Sequence, residues 1–179
     1  MAENFPNLRT ERLWLKQFAD SDIEKVFEGL SDPDVIKYYG VNYKSLAETK
    51  LQIEWFKNLE AEGTGIWWAV HSSDGKEFYG AIGFNNLSII HQKAEIGFWL
   101  LPAYWGKGIM QEALQLVCIY GFEHVKLHRI EAMVESENKQ CQSLLNKLDF
   151  KYEGTMRDCE IKNEDFISLD IYAKFNNPH

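Results

Sequence analysis

The chain has 179 residues, of which 45% are apolar and 26% are charged, so it is long enough for one domain with a sizeable core. Its net charge of −8 argues against a nucleic-acid surface, because phosphate binding depends on clustered lysine and arginine. The sequence shows no signal peptide and no apolar run of about 18 residues that could cross a membrane. Three cysteines without CxxC spacing indicate reduced thiols, so we expect a cytoplasmic protein with neither a membrane nor a nucleic-acid partner.

The first third of the chain predicts one strand followed by helices. Residues 12–18 alternate between apolar and polar side chains, which is typical of a strand. A helix is expected to begin near Asp20, and a short second one at Asp32, where a proline follows the capping residue. Ser45 has capping-box spacing to a glutamate, and Gly63 is placed to end the helix that follows.

The rest of the chain predicts three strands, a helix, a strand, a helix and a closing hairpin. Their expected ranges are 66–72, 77–87, 93–101, 108–124, 128–135, 138–148 and 151–175. The strand 93–101, the helix 108–124 and the strand 128–135 form a strand–helix–strand unit, which implies that the two strands are parallel. We therefore predict a single α+β domain over residues 1–179, with a mixed α/β sheet flanked by helices.

The stretch PAYWGKGIMQEA, residues 102–113, joins a predicted strand to a predicted helix. Gly106 and Gly108 would let a ligand approach the backbone closely, and Lys107 adds a positive charge. The unpaired N–H groups and the dipole at a helix start attract an anion. The spacing fits neither a dinucleotide-binding turn nor a Walker P-loop, so the pattern predicts a phosphate ligand of another class. A glycine-bearing connection without a ligand is the alternative.

Four segments resemble the GNAT N-acetyltransferases, and within them the Rim-type group that acetylates the N-termini of ribosomal proteins. They are TERLWLKQF, KAEIGFWLLPAYWGKGIMQEAL, HRIEAMVESENKQCQSLLNKLDF and YEGTMRDCEIKNEDFISLDIYAKF, which cover nearly the whole chain in the family's order. The resemblance implies the GNAT fold, a mostly antiparallel twisted sheet in which two parallel strands splay apart and hold acetyl-CoA between them. It also implies direct transfer of the acetyl group to an amine, without a covalent enzyme intermediate.

The resemblance further implies which residues hold acetyl-CoA. The pantetheine arm would pair with the backbone of the splayed strand, and the pyrophosphate would rest on N–H groups of the glycine turn. An asparagine ahead of the last long helix would contact the cofactor or serve only as a helix cap. The implied residues are Phe98, Trp99, Leu100, Trp105, Gly106, Lys107, Gly108, Ile109, Met110 and Asn138. Trp105 and Met110 depart from the family's usual Q/R-x-x-G-x-G/A turn, which changes side chains but leaves the backbone amides.

Acetyl transfer to an amine needs a base that removes a proton. The resemblance points to Glu160 in the closing hairpin, and Glu95 on the splayed strand is a second candidate; either can instead be an ordinary solvated or paired carboxylate. Cys141 stands where the Rim-type group has a serine, which makes it a candidate acid for the leaving thiolate, with a buried structural cysteine as the alternative. A backbone N–H from residues 99–101 could stabilise the oxyanion.

The acceptor site is expected between residues 32–45 and the closing hairpin. Tyr38, Tyr39 and Trp68 are candidate wall residues, although aromatic residues are more often part of a core. Ser168 replaces an aspartate of the Rim-type pattern, which raises the prospect of a different acceptor.

The preferred acceptor is a protein or peptide α-amine. A small amine such as a polyamine or aminoglycoside is the close alternative, a non-catalytic CoA-binding sensor is a third, and a homodimer stays open. His124 and His128 have i, i+4 spacing but fall at the end of a helix and the start of a strand, without a third ligand. No metal is therefore expected.

Overall fold

Eight strands form one mixed sheet within residues 5–176, the part of the chain that the computed structural model describes. The strands are β1 Leu8–Arg9, β2 Leu13–Lys16, β3 Ile66–Ser72, β4 Phe78–Ser88, β5 Lys93–Leu100, β6 Arg129–Glu135, β7 Lys151–Lys162 and β8 Asp165–Phe175. Their order across the sheet is β1-β2-β3-β4-β5-β6-β8-β7. Neighbouring strands are antiparallel except β5 and β6, which are parallel.

The helices connect these strands and cover the two faces of the sheet. The α-helices are α1 Ile23–Ser31, α2 Pro33–Ile36, α3 Leu46–Glu62, α4 Ile109–Glu123 and α5 Lys139–Lys147, and short 3-10 helices cover Asp20–Asp22 and Pro102–Tyr104. Within residues 5–176, every helix is too short or too polar to cross a membrane.

Side-chain caps fix the starts of three helices as the sequence predicts. Asp32, Ser45 and Asn138 each accept a hydrogen bond from a backbone N–H of the first turn, at 2.9, 3.2 and 3.1 Å. The start of α1 differs, because a 3-10 turn comes first and the Asp22 carboxylate accepts from the Ala19 N–H at 2.8 Å. Asp22 thus caps the 3-10 turn from its third residue, and α1 continues from that turn.

Two apolar clusters pack on opposite faces of the sheet. The cluster under α4 and α5 includes Phe84, Ile96, Leu114, Ile130 and Leu145. The cluster under α1 and α3 includes Val26, Leu30, Ile53, Phe56 and Trp99. Since successive side chains of a strand point to opposite faces, β5 contributes alternately to both clusters and forms the centre of the molecule.

The parallel strands β5 and β6 separate after three residue pairs. Lys93–Glu95 of β5 pair with Arg129–Glu131 of β6, and no later residues of the two strands pair within the described chain. Beyond that point β5 continues to pair with β4 and β6 with β8. The result is a V-shaped gap, which confirms the predicted mixed sheet with a splayed parallel pair.

Candidate active site

The gap between β5 and β6 opens into a cleft of about 1410 Å³. Its walls come from both splayed strands, the glycine turn before α4, the start of α5, the hairpin β7–β8 and the segment around α2 and α3. All of the residues predicted for catalysis or for acetyl-CoA binding, except Lys107, line it. The volume exceeds the roughly 300–1,000 Å³ of a pocket for one small ligand, so the cleft has room for two reactants.

The edge of β5 that faces the gap carries free backbone groups. The N–H of Leu101 donates to the Tyr79 carbonyl of β4 at 2.9 Å, so Leu101 is unavailable as an oxyanion donor. Because these groups alternate along a strand, the N–H groups of Phe98 and Leu100 face the gap. The Leu100 carbonyl already accepts from the Trp105 indole at 2.9 Å. An extended ligand could therefore pair with this edge as an extra strand does.

The turn before α4 presents an uncapped helix start. Gly106 and Gly108 have φ of 71° and 74°, a left-handed conformation that other residues adopt only with strain. Gly108 occupies the N-cap position, where no side chain caps the helix. The N–H groups of the first turn therefore have no side-chain partner, and their binding of an anion stays a prediction.

An ion-pair cluster that the sequence does not reveal holds this turn in place. The Arg12 guanidinium donates to the Lys107 carbonyl at 3.2 Å and to the Glu112 carboxylate at 2.8 Å. Thr10 donates its hydroxyl to the same carboxylate. The Lys107 side chain is exposed, with Nζ 5.4 Å from the centre of the Tyr104 ring. Its expected contact with phosphate thus remains a prediction.

Helix α5 is anchored beside the cleft by a buried carboxylate. Asp170 of β8 accepts hydrogen bonds from Ser136 at 2.7 Å, Thr155 at 2.6 Å and Gln142 at 2.9 Å. These contacts fix the turn of α5 that carries the predicted cofactor contact and the predicted acid. Ser168 lies elsewhere on β8, where its hydroxyl accepts from a β7 backbone N–H at 3.0 Å, and it does not line the cleft.

Cys141, the candidate acid, lines the cleft near the start of α5. Burial raises the pKa of its thiol to about 12. An ordinary thiol titrates near pH 8.5, so Cys141 stays protonated at neutral pH and is a weak proton donor.

Two glutamates bring negative charge into the cleft. Glu95 is the last β5 residue that pairs with β6, and its carboxylate accepts from the Asn86 amide at 3.0 Å. Burial raises the pKa of Glu95, the Asn86 hydrogen bond opposes the rise, and the negative charges of Glu131 and Glu160 add to it. Glu160 is exposed on β7 and lines the same cleft. A carboxylate with a raised pKa is a better base than an ordinary one.

Aromatic residues line the end of the cleft beside α2 and α3. Trp68, which the sequence suggested for this wall, is instead fully buried in the cluster under α4, where its indole donates to the Pro6 carbonyl at 2.7 Å. Trp67, the preceding residue of β3, points to the opposite face of the sheet and lines this end of the cleft instead. The residues of this end, called the aromatic arm below, are Tyr38, Tyr39, Tyr43, Trp55 and Trp67.

The two histidines with helical spacing lie apart from the cleft lining. His124 stacks on Tyr120 at the end of α4, and His128 packs against Phe175 of β8. No group of three or more His, Cys, Asp or Glu side chains in residues 5–176 is arranged to hold a metal ion.

The sequence model of the acetyltransferase (GNAT) domain matches residues 12–151. The uncharacterized N-acetyltransferase YoaA of Bacillus subtilis strain 168 is 36% identical over 170 residues, covering 94% of this chain and 96% of that protein.

Two solved structures share the fold over nearly their whole length. RimL, a ribosomal L7/L12 alpha-N-protein acetyltransferase in complex with coenzyme A, has a TM-score of 0.86 at 21% identity, covering 95% of this chain and 98% of that one. A Vibrio cholerae spermidine N-acetyltransferase in complex with CoA and spermine has a TM-score of 0.82 at 18% identity, covering 93% and 96%.

Proposed function

This chain belongs to the GNAT acetyltransferase family, and we propose that it is a Rim-type member that transfers the acetyl group of acetyl-CoA directly to the α-amine of a protein or peptide. The observation that carries the proposal is one continuous cleft that contains the splayed strand edge, the uncapped helix start and the aromatic arm. Because both reactants can be bound together, positioning alone would contribute much of the rate. The free cysteines of the described chain suit the cytosol, where we propose the enzyme acts.

The cleft residues fit acetyl-CoA, which supplies a thioester as the acyl donor when it is bound. The gap-facing N–H of Leu100, which lies nearer to the glycine turn, offers a backbone partner for an amide of the pantetheine arm. The N–H groups after Gly108 suit a pyrophosphate. Lys139 and Lys147 of α5, which no sequence motif marks, line the same cleft and add positive charge.

Glu95 is the proposed base, acting directly or through a water molecule. An α-amine titrates near pH 8 and a lysine-like amine near 10.4, so an α-amine needs a weaker base at neutral pH. A carboxylate whose pKa is raised by burial meets that smaller demand. Glu160 attracts the ammonium group of the acceptor. The Phe98 N–H, which faces the gap three residues along β5 from Glu95, is the proposed donor to the oxyanion.

A polyamine or aminoglycoside is the second candidate acceptor. The observation that favours it is the set of carboxylates in the cleft, because Asp34 lines it together with Glu95 and Glu160. A molecule with several ammonium groups could contact more than one of these side chains.

The release of CoA thiol, measured with a panel of N-terminal peptides, polyamines and aminoglycosides, tests the proposal. We expect turnover with peptides, with intersecting initial-velocity lines that reflect a ternary complex. Turnover with polyamines alone would replace the proposed acceptor, and parallel lines would contradict direct transfer.

Replacing Cys141 with alanine is expected to lower kcat by less than about fivefold. Transfer of a proton from a thiol of pKa about 12 to a CoA thiolate is uphill, so little catalysis should depend on it. The measurement is kcat with saturating acetyl-CoA, with Cys141→Ser as the matched variant. If kcat falls about 100-fold or more in Cys141→Ala and is restored in Cys141→Ser, the residue at this position is the acid.

A further inference from the structure

We propose that the aromatic arm binds the first side chain of the acceptor peptide and selects a large apolar residue, such as leucine, methionine or phenylalanine, over serine or alanine. This inference rests on the proposed function and deepens it. The same cleft that holds the carboxylates for the amine continues into the arm, so the side chain next to the amine is the part of a peptide that the arm can contact.

Two polar groups of the arm are already used by the protein. The Trp67 indole donates to the Asn85 amide oxygen at 2.6 Å, and the Tyr43 hydroxyl donates to the Gln52 amide oxygen at 3.0 Å. Burial raises the pKa of Tyr39, so its hydroxyl stays neutral. The arm thus offers ring faces and carbon atoms, which favour an apolar side chain over a hydroxyl.

The inner wall of the arm is rigid. Trp67 is 3% exposed and stacks on Phe56 with ring centres 5.0 Å apart. Gly97 of β5 leaves space for the Trp67 ring, because a Cβ at position 97 would lie 2.9 Å from that ring. A wall fixed by such packing loses little side-chain entropy when a ligand binds.

The outer wall is an exposed ring that an apolar ligand would cover. Trp55 is 40% exposed although its ring lies 5.5 Å from Phe56 and 6.0 Å from Trp67. Covering such a large apolar surface is favourable in proportion to the area removed from water.

The charges around the arm also restrict its ligand. None of the described residues that line it from α2, α3 or β3 is a lysine, arginine or histidine, and the cations of the cleft lie on α5. The carboxylates of the cleft lining are Asp34, Glu95, Glu135 and Glu160. The site therefore suits one ammonium group followed by an uncharged apolar side chain, and it disfavours an acidic first residue.

The test compares peptides that differ only in their first residue, at saturating acetyl-CoA. We expect kcat/KM for a leucine peptide to exceed that for a serine peptide by about 10- to 100-fold. Trp55→Ala should bring the two peptides within about threefold of each other while the Kd for acetyl-CoA stays unchanged. Unfolding midpoints establish that Trp55→Ala and its control variant are folded.

The matched control is Leu51→Ala, four residues earlier on α3. Leu51 is 60% exposed and lies outside the cleft lining, so its loss should leave the leucine preference intact. The inference would be overturned, while the proposed function stands, by either of two results. One is equal or greater turnover of the serine peptide by the wild-type protein. The other is a leucine preference that stays equally intact in Trp55→Ala and Leu51→Ala. Acetylation of spermidine but of no peptide would overturn both.

Discussion

Replacing Gly108 with tryptophan is expected to weaken acetyl-CoA binding by about 10- to 100-fold. Gly108 has φ of 74° and precedes the uncapped first turn of α4, so a large side chain there would cover the N–H groups proposed to bind pyrophosphate. Each charge-assisted hydrogen bond lost costs roughly 1.5–3 kcal/mol, so losing even one accounts for the expected effect. Calorimetric titration of acetyl-CoA measures it.

Gly63→Trp is the matched control for that variant. Gly63 has φ of 68° at the end of α3, has open space around it and lies outside the cleft lining. Both variants place a side chain in the left-handed region and should lose about 1–2 kcal/mol of unfolding free energy. Only Gly108→Trp should lose affinity. Equal affinity of the two folded variants would remove the glycine turn from the cofactor site.

Replacing Glu95 with glutamine is expected to lower kcat by about 10²- to 10³-fold, because the amide cannot accept the proton. The base works only when ionised, so wild-type activity should fall as the pH drops through the pKa of Glu95, which burial raises above its ordinary value. This acid limb of the pH–rate profile should disappear in Glu95→Gln. Initial rates across the pH range, at saturating substrates, measure both effects.

Glu160→Gln distinguishes the two carboxylates. The negative charge of Glu160 helps to raise the pKa of Glu95, so its removal should lower that pKa and move the acid limb to lower pH. The fall in kcat should be smaller than for Glu95→Gln. If Glu160→Gln instead abolishes the limb and Glu95→Gln keeps it, Glu160 is the base.

Features that depend on neighbouring residues were predictable from the sequence. The caps at Asp32, Ser45 and Asn138 rest on contacts within four residues, and the structure confirms them. Gly106 and Gly108 marked the strand-to-helix turn because the left-handed conformation is cheap for glycine. Alternating apolar residues located the strands, and the strand–helix–strand unit implied the parallel pair.

Features that depend on distant contacts were not predictable in this way. Trp67 and Trp68 are equally aromatic, and only the register of β3 in the sheet decides which one faces the cleft. Arg12 supports the glycine turn through Glu112, which is 100 residues away in sequence. The raised pKa of Glu95 depends on burial and on side chains from three other segments. Tertiary packing determines each of these.

The most direct test of the central claim is mass spectrometry of a peptide incubated with the protein and acetyl-CoA. A peptide with a free N-terminus and leucine as its first residue should gain one acetyl group, located on the α-amine by fragmentation. The same peptide with a blocked N-terminus, and a reaction without the protein, should gain none. If acetyl-CoA binds but this peptide and its counterparts that begin with serine or alanine all stay unmodified, the claim that this cleft passes an acetyl group to a peptide α-amine is contradicted.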